Sequence, residues 1–360
     1  MAAPPLKISV AAPVFAAAGH GDLRTPNLTE ASWELVRDVV LLAEDLGLHA
    51  AWFSDHLFLG RDGAFFEPWT SLSALAGSTR RIRLVTNHLN NNFRPAPLIA
   101  KMAATVDVVS GGRFGLFLSP GLRKQEHDSY GFGWEPDPAV RTRRLAEALE
   151  VVRALWTGLP VDFDGTYYQL RGALCTPAPR QSPGPPLWVG GILDEATTEL
   201  ICAQADGWNS FPASLDSYAD LAARVDEACL RHGRDPRSLV RSLETQVLVL
   251  DHPDQLDSWL DRWEDMRKRF PSGDAAGPED GGVSRAELRQ RYRDQFVIGT
   301  LDEVADKLAA YQTLGVNEVV CWFMDLPELT TMRAVATLGN AVQVRAEALA
   351  PGLVTTRPVA

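Results

Sequence analysis

Short runs of β-branched and aromatic residues alternate along the chain with longer stretches whose apolar positions recur every three or four residues. The first pattern has the period of a strand and the second that of a helix, so their alternation predicts βα units around a parallel sheet. Strands are expected at Leu6–Val10, Ala50–Ser54, Ile82–Thr86, Phe114–Leu118, Leu187–Val189, around Trp208, at Gln246–Leu250 and at Val316–Phe323. The first helix is expected from about Ser32 to Leu46. Ser32 suits an N-cap, Trp33, Val36, Val40 and Ala43 share a stripe, and Gly47 suits the left-handed position past the last turn. Further helices are expected at Pro97–Val109, Arg141–Trp156, Asp194–Ala205 and Ser217–His232, and along Leu301, Val304, Ala305 and Leu308. A hairpin with the turn Asp164-Gly165 is expected to join Val161–Phe163 to Thr166–Leu170.

Eight strands with intervening helices predict an α/β fold, a (β/α)8 TIM barrel, which needs ~250 residues before insertions. The chain has 360 and reads as one domain, 1–360. Its extra length falls at Pro120–Val140, after strand four, and at His252–Phe296, after strand seven. Both places follow the C-terminal end of a strand, the face on which such barrels carry their sites. Within 252–296, the stretch PSGDAAGPEDGGV lies between the charged segments Asp261–Arg269 and Arg285–Arg293. It is expected to act as a lid or to remain a passive surface loop.

Composition then narrows the classes of function. With 46% hydrophobic and 22% charged residues the chain is an ordinary globular one. Its net charge of −11 provides no field to gather nucleic acid or an anionic membrane. No run approaches the ~20 apolar residues of a membrane span, and the start MAAPPLKISVAAPVF lacks a basic stretch followed by an apolar one, so a cytoplasmic protein is expected. Cys175, Cys202, Cys229 and Cys321 are widely spaced and are expected to be buried thiols rather than a zinc site or disulfide framework.

Polar residues gather where the expected strands end. Strand two runs AAWFSDH into Asp55-His56, and strand three runs IRLVTNHLNNNFRPAP, with Asn87, His88, Asn90, Asn91, Asn92 and Arg94 within eight positions. The loop after strand four brings Ser119, Arg123, Lys124, Glu126, His127 and Tyr130, and strand five ends in a bare Gly190-Gly191 before a helix. Plainer readings stand beside these: a helix cap and a surface histidine for Asp55-His56, turn chemistry for the asparagines, a tight turn for the glycines. A metal site from Asp55, His56 and His88 lacks ligand spacing, so no metal is expected, and a serine triad lacks the G-x-S-x-G elbow.

Taken in order, AAWFSDH, EPWTSLSALAGSTRRIRLVTN, FRPAPLIAKMAATVDVVSGGRFGL, RTRRLAEALEVVRALWTG, FDGTYYQL, PGPPLWVGG, ADGWN and IGTLDEVADKLAAYQTLGVNEVV resemble the bacterial luciferase-like superfamily of flavin- and deazaflavin-dependent oxidoreductases with a TIM-barrel fold. The resemblance implies Asp55 on the cofactor side and His56 near the reactive ring edge; His56 and His88 are the candidate proton handlers, and Glu126 is a further catalytic candidate. It implies a non-proline cis peptide in a bulge around Thr86, Asn87 and His88. Arg94 and Ser119 join these on the cofactor side, and Gly190-Gly191 form a phosphate-binding turn. Asn90, Asn91, His127 and Tyr130 are then left for substrate. Ser119-Pro120-Gly121-Leu122 lacks the acid that sugar-phosphate dehydrogenases of the superfamily place there, which argues against that substrate. The preferred expectation is a two-component monooxygenase that uses reduced FMN from a separate flavin reductase on a small organic substrate. There is no G-x-G-x-x-G dinucleotide fingerprint, which is consistent with that arrangement. The alternatives are hydride transfer with the deazaflavin coenzyme F420 and a non-catalytic barrel subunit. A homodimer is also implied by the resemblance, with the apolar run Pro97–Val109 contributing to its face.

Overall fold

The computed structural model describes residues 4–17, 26–191, 193–269 and 284–349. Eight strands carry the barrel: β1 (Lys7–Ala11), β2 (Ala50–Ser54), β3 (Arg83–Asn87), β4 (Phe114–Ser119), β5 (Leu187–Gly190), β6 (Gly207–Ser210), β7 (Val240–Leu250) and β8 (Glu318–Phe323). Each pairs in parallel with the next, and β8 pairs with β1, so the sheet closes. Helices cover the outside, and the apolar core lies between them and the strands. The first helix is Trp33–Asp45, and the Ser32 side chain accepts the backbone N–H of Leu35 as expected of its cap. All four cysteines are buried free thiols.

The lumen is polar. Along β7 the side chains of Ser242 and Glu244 turn inward: Asn209 of β6 donates to Ser242, and Trp322 of β8 donates to Glu244. The sequence places the start of this strand at Gln246, six residues too late. Ser242, Glu244 and Gln246 stand at alternate positions of RSLETQVLVL and so share one strand face, the face that turns into the barrel. Lower down, Glu318 of β8 accepts from Ser9 of β1 and Trp52 of β2.

The hairpin also departs from its expected turn. Its strands are Val161–Asp164 and Gln169–Ala173, so four residues form the connection. Glu147, on the helix Pro138–Trp156, accepts the backbone N–H groups of Thr166, Tyr167 and Tyr168 and draws them away from the ladder.

The charged segments of the second insertion belong to amphipathic helices, Gln255–Arg269 and Arg285–Gln295. Leu260, Trp263, Tyr292 and Phe296 pack there against Leu248 and Leu250 at the far end of β7 and Ile298 of an added strand, Val297–Thr300. Trp263 and Tyr292 stack with centroids 5.8 Å apart. The Gly/Pro/acidic stretch expected to act as a lid or loop lies outside the described residues.

Candidate active site

The C-terminal mouth of the barrel collects the polar strand ends. Past β2, His56 turns its Nδ1 to within 2.8 Å of Oε1 of Glu126. Glu126 is fully buried on a short helix, Lys124–Ser129, that folds back over the mouth. Its other oxygen accepts the backbone N–H of Leu57 at 2.9 Å, and Arg123 donates to Oε1 at 2.6 Å. Burial pushes this carboxyl up, but the hydrogen bond and charge of His56, the Leu57 N–H and Arg123 more than offset it, so its pKa lies below the usual carboxylate value. Glu126 therefore holds His56 by Nδ1 and leaves Nε2 as the nitrogen available for chemistry. The edge of Phe65 packs on the ring at 5.4 Å.

Asp55, beside it, does not face the cavity as a free acid. Arg94 donates to both its oxygens, at 2.9 and 3.1 Å, and the Asn90 backbone N–H donates at 2.9 Å. Arg94 also reaches Glu67 at 2.9 Å. Burial disfavours the guanidinium charge, yet Asp55 and Glu67 together raise its pKa. With its donors spent in this way, Arg94 serves as a clamp between the ends of β2 and β3.

The end of β3 bends at His88, whose φ of 51° is in the left-handed region. The expected non-proline cis peptide is absent: among the described residues the cis bonds are Thr176-Pro177, Ser182-Pro183 and Leu326-Pro327. The bend is instead held from across the lumen. Glu244 accepts from Asn87 at 3.1 Å and meets His88 Nε2 at 3.0 Å. The His88 ring lies between Phe117 and Phe211, with centroids 4.6 and 5.0 Å away. Thr86 is a strut, bonded through Oγ1 to both the N–H and the carbonyl of Phe117 on β4. Ser119 likewise donates to the carbonyls of His88 and Leu89.

The residues expected on the substrate side are placed deeper than the sequence implies. Asn90 and His127 pair at 3.0 Å, His127 Nδ1 lies 3.2 Å from the carbonyl of Gly133, and both residues are buried. Burial lowers the His127 pKa. Asn91 is buried against the Tyr168 hydroxyl at 3.3 Å. Tyr130 alone is exposed, on the rim, stacked between Phe58 and Phe132.

Gly190 fills a place that no side chain can take. A Cβ there would lie 2.6 Å from the carbonyl oxygen of Asn209 and 2.8 Å from the Phe117 ring. Gly191, with φ of 121°, has open space around it. Past this turn, Asp194 caps the helix Glu195–Gln204 by accepting from Thr197, so that helix end already has its negative partner. An anion at Gly190-Gly191 is left with the turn's own backbone.

Sequence reasoning missed two lumen residues, Glu244 and Gln246. Their signal is the alternation Ser242, Glu244, Gln246 within one strand. The mouth suits a flat polar ring: the Asn87 Oδ1 and both amide atoms of Gln246 are buried and have no partner among the described residues, while Phe117 and Phe211 supply apolar walls.

At 34% identity over 302 residues, the chain is similar to an F420-dependent glucose-6-phosphate dehydrogenase of Nocardia farcinica, covering 80% of this chain and 87% of the relative. It is also 27% identical over 329 residues to the pyrimidine monooxygenase RutA of Allorhizobium ampelinum, covering 84% and 87%. Among solved structures, the EDTA monooxygenase of Chelativorans sp. BNC1 superposes with a TM-score of 0.74 at 18% identity, over 96% of this chain and 94% of that one. That likeness carries the fold, a barrel of the same kind. The pattern of the family described as luciferase-like monooxygenase matches residues 11–318, and the chain therefore belongs to that family of oxidoreductases.

Proposed function

We propose that the protein oxidises or reduces a small organic substrate held over a flavin-type ring in the barrel mouth, with His56 moving the proton. The observation that carries this reading is the His56–Glu126 pair: a buried, ionised carboxylate fixes one imidazole nitrogen and leaves the other to take or give a proton. The bend at Asn87-His88, backed by Thr86 and Ser119, supports the ring's face. Gly190-Gly191 admit its phosphate tail, and Asp55 and Arg94 keep the ends of β2 and β3 in register beneath it. Phe117 and Phe211 exclude water.

The cofactor we favour is the deazaflavin coenzyme F420, which exchanges hydride with substrate when bound. Two things support it over the FMN expectation: the F420-dependent relative has the higher identity over a long match, and a carboxylate-held imidazole suits removing a hydroxyl proton as hydride leaves the adjoining carbon. The buried His56–Glu126 pair also supports a catalytic site over a non-catalytic barrel. The second reading, a monooxygenase fed with reduced FMN by a separate flavin reductase, is favoured by the likeness to RutA and to the EDTA monooxygenase.

Titrating the purified chain separately with F420 and FMN, followed by absorbance and fluorescence, tests the proposal. F420 binding with bleaching on addition of small alcohols supports the first reading. FMN binding, with oxygen uptake that depends on an added reductase, supports the second. Binding of neither sinks both.

A further inference from the structure

We propose that Gln246 reads the imide edge, an adjacent carbonyl and N–H, of a pyrimidinedione ring lying over the Asn87-His88 bend. The proposal rests on the reading of the mouth as a ring site and adds the group that recognises the ring's polar edge.

Placement comes from β7. Glu244 reaches across the lumen to Asn87 and His88, which fixes its height at the end of β3. Gln246 follows on the same face of the strand, and two residues advance it by ~6.6 Å toward the mouth. It therefore stands one layer above the bend, where a ring resting on Asn87-His88 presents its edge. β8 runs alongside, with Trp322 in register with Gln246. The indole N–H is spent on Glu244, so the neighbouring strand offers Gln246 nothing from that side chain.

Gln246 is fully buried, and neither its Nε2 nor its Oε1 has a hydrogen-bond partner among the described residues. A carboxamide left unmatched in a protein interior is costly, and a leucine or methionine would fill the same space without that cost. An amide at this position has a use if its partner is brought in. Its oxygen accepts and its nitrogen donates side by side, which matches a ring carbonyl adjoining a ring N–H in a planar two-bond contact. That edge is the shared chemistry of flavin and deazaflavin rings and of a pyrimidine substrate, and the experiment separates those sources.

The test uses the full chain, wild type and Gln246→Leu. Probes are FMN, 3-methyl-FMN, in which a methyl replaces the ring N–H, coenzyme F420 and uracil. If the cofactor ring is read, wild type binds FMN ~10-fold more tightly than 3-methyl-FMN, the scale of one hydrogen bond left unmade. Gln246→Leu then erases that preference and weakens F420 by a similar factor, while the ligand-free variant melts at the same or a higher temperature. If a pyrimidine substrate is read, FMN and F420 bind both chains alike, and only uracil loses affinity in the variant. Equal affinities of both chains for all four probes overturn the proposal and leave Gln246 satisfied by ordered water. A lower melting temperature with uniform loss of every ligand overturns it as well. Should the variant fail to fold, equal binding of FMN and 3-methyl-FMN by wild type, together with no uracil binding, is decisive against it. If wild type binds neither FMN nor F420, the ring-site reading itself has failed, a result distinct from indifference to the methyl group.

Discussion

Nδ1 of His56 lies 2.8 Å from Oε1 of Glu126, although 70 residues separate the two in sequence. The contact depends on the helix Lys124–Ser129 returning over the end of β2, where the Leu57 N–H and Arg123 complete the carboxylate's shell. Because Glu126 is ionised and its partners are fixed, the imidazole has one tautomer to adopt when neutral: Nδ1 carries the proton and Nε2 accepts.

Replacing His56 by Ala should therefore lower turnover by ~10²–10⁴-fold with cofactor affinity little changed, the usual size of a lost proton-transfer group. Glu126→Gln should lower it less, by ~10–10²-fold, since the imidazole remains but its tautomer is no longer set. Rates under saturating cofactor, measured alongside a binding titration, check both. Near-normal turnover in His56→Ala would move the proton-handling role to His88.

Much of this site is legible in the sequence because barrel chemistry collects at strand ends. Asp55-His56, Asn87-His88 and Gly190-Gly191 stand directly after apolar runs, so finding the strands finds the residues. What stays hidden is anything that depends on which way a side chain turns or on contacts across the lumen. Asp55 and Arg94 read as separate site residues, but they spend their hydrogen bonds on each other. Asn90 and His127 read as substrate-facing, but they pair beneath the surface. Glu244 is masked because an alternating polar face signals water in an antiparallel edge and a lumen in a barrel, and periodicity alone does not separate these.

The clamp between β2 and β3 gives a stability prediction. Asp55 is buried and Arg94 nearly so, and removing one partner of such a pair strands the other. Arg94→Leu should cost about 3–5 kcal/mol of folding free energy. In Asp55→Asn the arginine keeps Glu67 and the loss should be smaller. Urea denaturation of both single variants and the double variant closes a cycle, and simple additivity of the two losses would show that the clamp is not a unit.

Gly190→Ala tests the cradle at the end of β5. The added methyl has no flexible neighbour to displace, because one obstacle is the backbone oxygen of Asn209 and the other the buried ring of Phe117. A loss of about 1–3 kcal/mol is expected, with weaker cofactor binding as the turn shifts. Unchanged thermal stability and affinity would show that the turn has more room than its geometry implies.

At the opposite end of the barrel, His49 makes stability depend on pH. Burial, with Lys7 and Arg83 nearby, lowers its pKa from 6.5 to about 4. Glu318, 3.9 Å away, does not rescue the charge, because burial raises that carboxyl toward its neutral form. The unfolded chain then binds a proton on His49 that the folded chain refuses. Stability from this residue is whole above pH 6.5 and is lost as the pH falls from 6.5 to 4, by at most about 3 kcal/mol. His49→Gln removes the proton uptake, so the fall in unfolding free energy between pH 7 and pH 4.5 should shrink by ~1–3 kcal/mol relative to wild type. Carboxylates remote from His49 that titrate over the same range affect both chains equally and cancel in that difference. Urea melts of the two proteins at several pH values in this window give the comparison, and parallel curves would mean that His49 takes up its proton as readily folded as unfolded.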